Sequence, residues 1–159
     1  MRYIIAAAIL LLSIQAASAA NQDTAELTIS VNVVESCHIQ SAGNTLSFGN
    51  VAQDAGTASA QTSITLRCSR DRPYALGFDY GRHAQGMQRQ MDNGSAQIAY
   101  QLYAGNAGAR PVGPLNSGAE VRGVGNGKDE QIPVYGSLKL DSHQPAGQYS
   151  DVVYMTIAW

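Results

Sequence analysis

Apolar and polar side chains alternate with a period of two along most of this chain, the signature of half-buried strands. The cleanest stretch is Ala25–Val33, where Ala25, Leu27, Ile29, Val31 and Val33 alternate with Glu26, Thr28, Ser30 and Asn32. Further strands are predicted over 62–68, 74–80, 97–103 and 131–140, with a short one over 45–49. Residues 52–61 are small and polar and read as a loop. A polar excursion over 81–95 contains Asn93-Gly94, a strong turn signal, and the Gly- and Pro-rich stretch 104–127 has room for one short strand. Pro133 has no N–H to give to a ladder, so its strand is expected at a sheet edge or with a bulge there. No helical repeat occurs beyond the first twenty residues. Six to eight short strands separated by turns predict an all-β chain folded as an immunoglobulin-like β-sandwich.

The closing segment, Tyr149–Trp159, reads as one strand with Val153, Met155, Ile157 and Trp159 on a single face. Asp151 and Thr156 interrupt the apolar run. A terminal strand this hydrophobic, with an unpaired edge, invites pairing with another chain. A sandwich short of one strand leaves an apolar groove, and an extended segment with alternating apolar side chains is what fills such a groove. Ala25–Val33 has that form. Burying its larger side chains contributes roughly 6–10 kcal/mol before ordering costs. Donated to a neighbour, it would make a head-to-tail contact that does not close, hence a filament. The pattern equally allows Ala25–Val33 to be the domain's own first strand.

The first residues predict an export signal, with Arg2 ahead of a short apolar run and Ala17-Ser18-Ala19 at the cleavage positions. The run is too short to span a bilayer. Once Arg2 leaves with residues 1–19, nine basic residues face twelve acidic ones, a net charge of −3. So small a charge gives no electrostatic case for nucleic acid or an anionic membrane. In an exported protein Cys37 and Cys68 are expected to form a disulfide, worth about 3–4 kcal/mol for a loop of this length. His38, His83 and His143 are scattered without metal-ligand spacing, and no catalytic motif is present, so no cofactor and no enzymatic activity are expected.

Ser36-Cys37, Leu46-Ser47-Phe48-Gly49, Ile132-Pro133-Val134-Tyr135-Gly136 and the block Gly147–Trp159, with its G-x-Y-x-D, resemble the spore coat protein U domain. That family includes the pilins of archaic, Csu-like chaperone–usher pili. The resemblance implies an incomplete immunoglobulin-like sandwich, completed first by a strand from a periplasmic chaperone. At the outer-membrane usher the next subunit's N-terminal segment replaces that strand. It also implies a thin pilus that supports attachment and biofilm formation. Carried onto this chain, residues 20–36 are the leader and donor strand, through Ala25, Leu27, Ile29, Val31 and Val33. Residues 37–159 are the domain, Val153, Met155, Ile157 and Trp159 belong to the acceptor groove, and Cys37 and Cys68 match the family's disulfide positions. Room for one domain makes it similar to a shaft or minor subunit more than to a two-domain tip. Trp159 departs from the smaller aromatic expected there. A self-complete secreted coat or matrix protein is the alternative, with a small carbohydrate-binding module using Tyr80 or Tyr103 behind it.

Overall fold

The computed structural model describes residues 21–42, 45–105 and 110–159. The export signal expected over residues 1–19 lies outside them. The chain divides into two units, Met1–Asn32 and Val33–Trp159.

In the described part of the first unit, residues 21–32, no residue belongs to a ladder. Leu27, Ile29 and Val31 are 82–85% exposed. The strand predicted over Ala25–Val33 is therefore not formed as a paired element. Alternation supplies one apolar face, but a strand needs a partner for its backbone before it is stable.

The second unit is all-β. Its strands are β1 (Cys37–Ala42), β2 (Thr57–Cys68), β3 (Pro73–Phe78), β4 (Arg89–Asp92), β5 (Gln97–Ala104), β6 (Val121–Val124), β7 (Asp129–Lys139) and β8 (Met155–Ala158). A five-stranded sheet runs β1-β2-β7-β5-β4 and a three-stranded sheet runs β6-β3-β8, every pair antiparallel. The alternate residues Ile64 and Leu66 of β2, Ile132, Val134 and Leu138 of β7, and Ile98 and Leu102 of β5 turn inward. They meet Tyr74, Leu76 and Phe78 of β3. Cys37 and Cys68 are opposite each other in the β1–β2 register and form the disulfide, with S–S 2.00 Å. His38, next along the strand, is exposed while Cys37 is buried, as alternation requires.

Four local expectations are corrected. Residues 57–61 are not loop but the first half of β2, pairing with Lys139 through Tyr135 of β7. Ala58 and Ala60 alternate with Thr57, Ser59 and Gln61, and tertiary pairing overrides their weak strand preference. Pro133 is at neither an edge nor a bulge, for β7 is the middle strand. Its carbonyl accepts from Gly105 N at 2.9 Å, just beyond Ala104, where β5 ends. The side of Pro133 without an N–H thus faces the end of the β5 ladder, and the opposite side faces Ser63 without needing one. The polar excursion contains β4. Residues 45–49 join no ladder.

Candidate functional site

The closing segment does two jobs where the sequence predicts one strand. Ser150 pairs with Asp92 of β4, each donating its N–H to the other's carbonyl at 2.9 and 3.1 Å. The chain then crosses to the other sheet, where Met155–Ala158 pair with Phe78–Ala75. The change of sheet falls at Asp151, the first of the two residues that interrupt the apolar run.

A polar knot holds that crossing. The Asp151 side chain is 2% exposed. Its carboxylate accepts from the Tyr100 hydroxyl at 2.6 Å and from the backbone N–H groups of Arg82 and His83 at 3.0 and 3.3 Å. Gly81 makes room for it, since a Cβ there would collide with the Asp151 carboxylate, and its φ of +85° suits glycine. Arg89 of β4, fully buried, donates to the Asp79 carbonyl at 2.6 Å and the Phe78 carbonyl at 3.1 Å, finishing the end of β3. Burial pulls its pKa below the ordinary arginine value. Tyr149 supplies a tyrosine corner: its hydroxyl donates to the Pro145 carbonyl four residues back at 2.8 Å. Tyr149 and Asp151 explain the G-x-Y-x-D block physically, as one pins the corner and the other the crossing. Arg89 and Tyr100 carried no comparable signal in the sequence.

Burial, and then the bond to Asp151, push the Tyr100 phenol well above the usual tyrosine value. Burial first, with Glu130 second, pushes Tyr74 up to about 12. Raised phenols favour the fold fully below their unfolded value near 10, and that contribution is lost as pH rises through the folded values. Tyr100→Phe is expected to cost about 1–3 kcal/mol at neutral pH, because Asp151 loses a buried donor. The same variant flattens the fall in stability between pH 10 and 12. Urea melts across that range check both effects.

Between the sheets lies an open cleft of about 1100 Å³. Its floor is Ile64, Val134, Leu138, Tyr100, Leu102 and Ile98 of the larger sheet, with Phe78 and Met155 facing them from the smaller. Residues 45–51 and 144–153 form its rims. Leu46 and Phe48 reach inward onto β7 at Gly136, where a Cβ would lie 2.7 and 2.8 Å from their side chains. Gly136 thus admits the 45–51 rim without a ladder.

Among the described residues nothing pairs with the edge beside the cleft. Tyr154 points its backbone toward β3, accepting from Asp79 N at 3.0 Å and donating to Asp79 Oδ1 at 2.9 Å. Backbone groups alternate sides along a strand, so those of Val153, Met155 and Ile157 point away from β3. The same three side chains pack against the core. Val153 and Met155 line the cleft; Ile157 lies further along, opposite fully buried Leu76. Trp159 is half-exposed, its ring 6.4 Å from that of His38. Of the five predicted donor positions, Leu27, Ile29, Val31 and Val33 are among the most exposed apolar side chains described, and Ala25 is exposed with them.

A family model for the spore coat protein U domain matches residues 23–156. The chain belongs to the spore coat protein U domain family. No curated protein sequence matches this spore coat U domain. Among solved structures it resembles a chain of the CsuC–CsuE chaperone–tip adhesion subunit pre-assembly complex from the archaic chaperone–usher Csu pili of Acinetobacter baumannii. That match has a TM-score of 0.60 and 22% identity over 80% of this chain. The domain spans only 40% of the length of that chain. It also resembles the P pilus rod subunit PapA, with a TM-score of 0.57, 17% identity and coverage of 77% of this chain and 97% of the other. A subunit of a chaperone–usher pilus studied for rod uncoiling gives 0.57 and 18% identity, over 90% and 99%. These likenesses show the fold, an immunoglobulin-like sandwich of the kind pilus subunits use.

Proposed function

We propose that this spore coat U domain is a structural subunit of a chaperone–usher pilus and polymerises by donor-strand exchange. One observation carries the reading: an apolar cleft lies beside a sheet edge whose backbone, unpaired among the described residues, belongs to the residues that face inward. Val153, Met155 and Ile157 offer backbone groups to an added strand, and the cleft floor offers sites for alternate apolar side chains. Leu27, Ile29, Val31 and Val33 of a second copy have the required spacing and exposure. The likeness to subunits of assembled pili supports the same reading.

In this reading a periplasmic chaperone's strand fills the cleft first, and at an outer-membrane usher the next subunit's segment displaces it. The step is non-catalytic. A better-fitting strand replaces a poorer one, so no nucleotide or cofactor enters. Export to the cell surface, and a role in attachment and biofilm formation, follow from membership of such a pilus. Among the described residues no helix is long and apolar enough to cross a membrane.

A synthetic peptide of residues 21–34 tests the proposal in trans. Added to a chain lacking its own segment, it is expected to bind and raise the melting temperature. A peptide with Ile29→Asp is expected not to. Equal stabilisation by both, or by neither, refutes the docking of this segment.

A further inference from the structure

Two of the residues lining the cleft carry oxidisable sulfur. Both cysteines are committed to the Cys37–Cys68 disulfide, so the thioethers are the sulfur left to react. Beyond Met1 the chain has three methionines, Met87, Met91 and Met155, and the fold puts them in two different settings. Met87 stands at the tip of the Gln85–Gln88 turn, is 75% exposed and takes no part in the cleft. Met91 and Met155 are half-buried, pack against the core and line the cleft. Met91 lies on β4 opposite Ile98, and Met155 lies on β8 opposite Phe78, so the two thioethers come from different sheets.

A thioether suits a surface that must adapt to an incoming strand, being flexible and apolar. Peroxides oxidise it. The sulfur lone pair takes an oxygen atom from hydrogen peroxide: an S–O bond forms and the O–O bond breaks. Methionine gives up two electrons to become the sulfoxide, and the peroxide leaves as water. The product is polar and chiral. At Met155 the new oxygen would be covered by an added strand, and Leu27, Ile29, Val31 and Val33 carry no side-chain donor to meet it. Covering a polar group without a partner is unfavourable.

We propose that Met155, with Met91 next to the Asp92–Ser150 bridge, is an oxidation site that controls strand docking, a role that rests on the donor-strand reading above. With the cleft open, peroxide reaches both sulfurs, and the sulfoxides lower the affinity for a strand. With a strand in place, both sulfurs are covered. Peroxide therefore blocks chains that have yet to join a polymer and spares those already joined. Met87 oxidises in either state without consequence for docking, which makes it an internal reference.

Fluorescence polarisation tests this, with a fluorescein-labelled peptide of residues 21–34 binding the dilute full chain before and after mild hydrogen peroxide. Peptide mapping by mass spectrometry reads each methionine. Peroxide is expected to oxidise all three in the free chain and to weaken peptide binding about tenfold. When unlabelled peptide saturates the chain first, Met87 should oxidise as before while Met91 and Met155 oxidise several times more slowly. Met87→Leu should leave binding and its peroxide sensitivity unchanged. In the double variant Met91→Leu with Met155→Leu, the fall in affinity on treatment should vanish. An untreated chain that fails to bind the peptide overturns the docking reading and this role with it. An untreated chain that binds, and binds equally once Met91 and Met155 are oxidised, overturns the oxidation role alone. So does equal oxidation of Met155 with and without peptide, or loss of the fold on oxidation by circular dichroism.

Discussion

Deletion of residues 25–33 is expected to abolish polymerisation while leaving chaperone capture intact. The segment forms no ladder, and Leu27, Ile29, Val31 and Val33 stand 82–85% exposed, so its removal takes nothing from the sandwich core. What is lost is the apolar surface it would bury in a neighbour. At about 1.5–3 kcal/mol for each large side chain, four of them supply roughly 6–10 kcal/mol before association and ordering costs are met. Without that term no polymer contact of useful lifetime remains. Co-expression with the chaperone and usher, followed by electron microscopy and gel filtration, checks it. The expected product is a one-to-one chaperone complex and no fibres. Normal fibres from the deletion variant would mean that the segment is not the donor.

Met155→Asp should prevent accumulation of the subunit at an earlier step. Met155 lines the cleft, faces Phe78 across the β3–β8 register and packs against the core. Its backbone lies on the unpaired edge, so an added strand would cover the new carboxylate. Among the described residues no cation lines the cleft to pair with it. Covering a polar group without a partner costs about 3 kcal/mol, roughly a hundredfold in strand affinity. Both the chaperone's strand and a subunit's strand would suffer, so the periplasmic complex should fall to a small fraction of its normal level. Met155→Leu keeps the volume and the apolar character and should behave as the unaltered chain does. Pull-down through a tagged chaperone measures both variants. An aspartate variant recovered at ordinary levels would move the docking edge elsewhere.

The G-x-Y-x-D block shows how function and fold share residues here. Tyr149 turns the chain at the end of the sandwich, and Asp151 carries it from β4 to β3 under the hydroxyl of Tyr100. Because Asp151 is clamped, the residues after it emerge in a set phase, with odd-numbered backbone groups facing outward and odd-numbered side chains facing the core. An edge that accepts a strand needs that phase, since a slip of one residue would turn Val153 and Met155 to the wrong face.

Local pattern alone was enough to read the strand-rich fold and the apolar alternation of Ala25–Val33. Each of these depends on side-chain type and a period of two, which any short window of sequence displays. The middle position of Pro133, the strand over residues 57–61, the change of sheet at Asp151 and the buried Arg89 were decided only when distant segments met. Pro133 is tolerated because β5 ends beside it, and Arg89 is buried because Phe78 and Asp79 offer carbonyls at the end of another strand. Hydrogen-bond satisfaction across sheets is a property of pairs far apart in the chain. Alternation is a property of neighbours, so it reveals which residues want burial but leaves unstated which backbone will lie beside them.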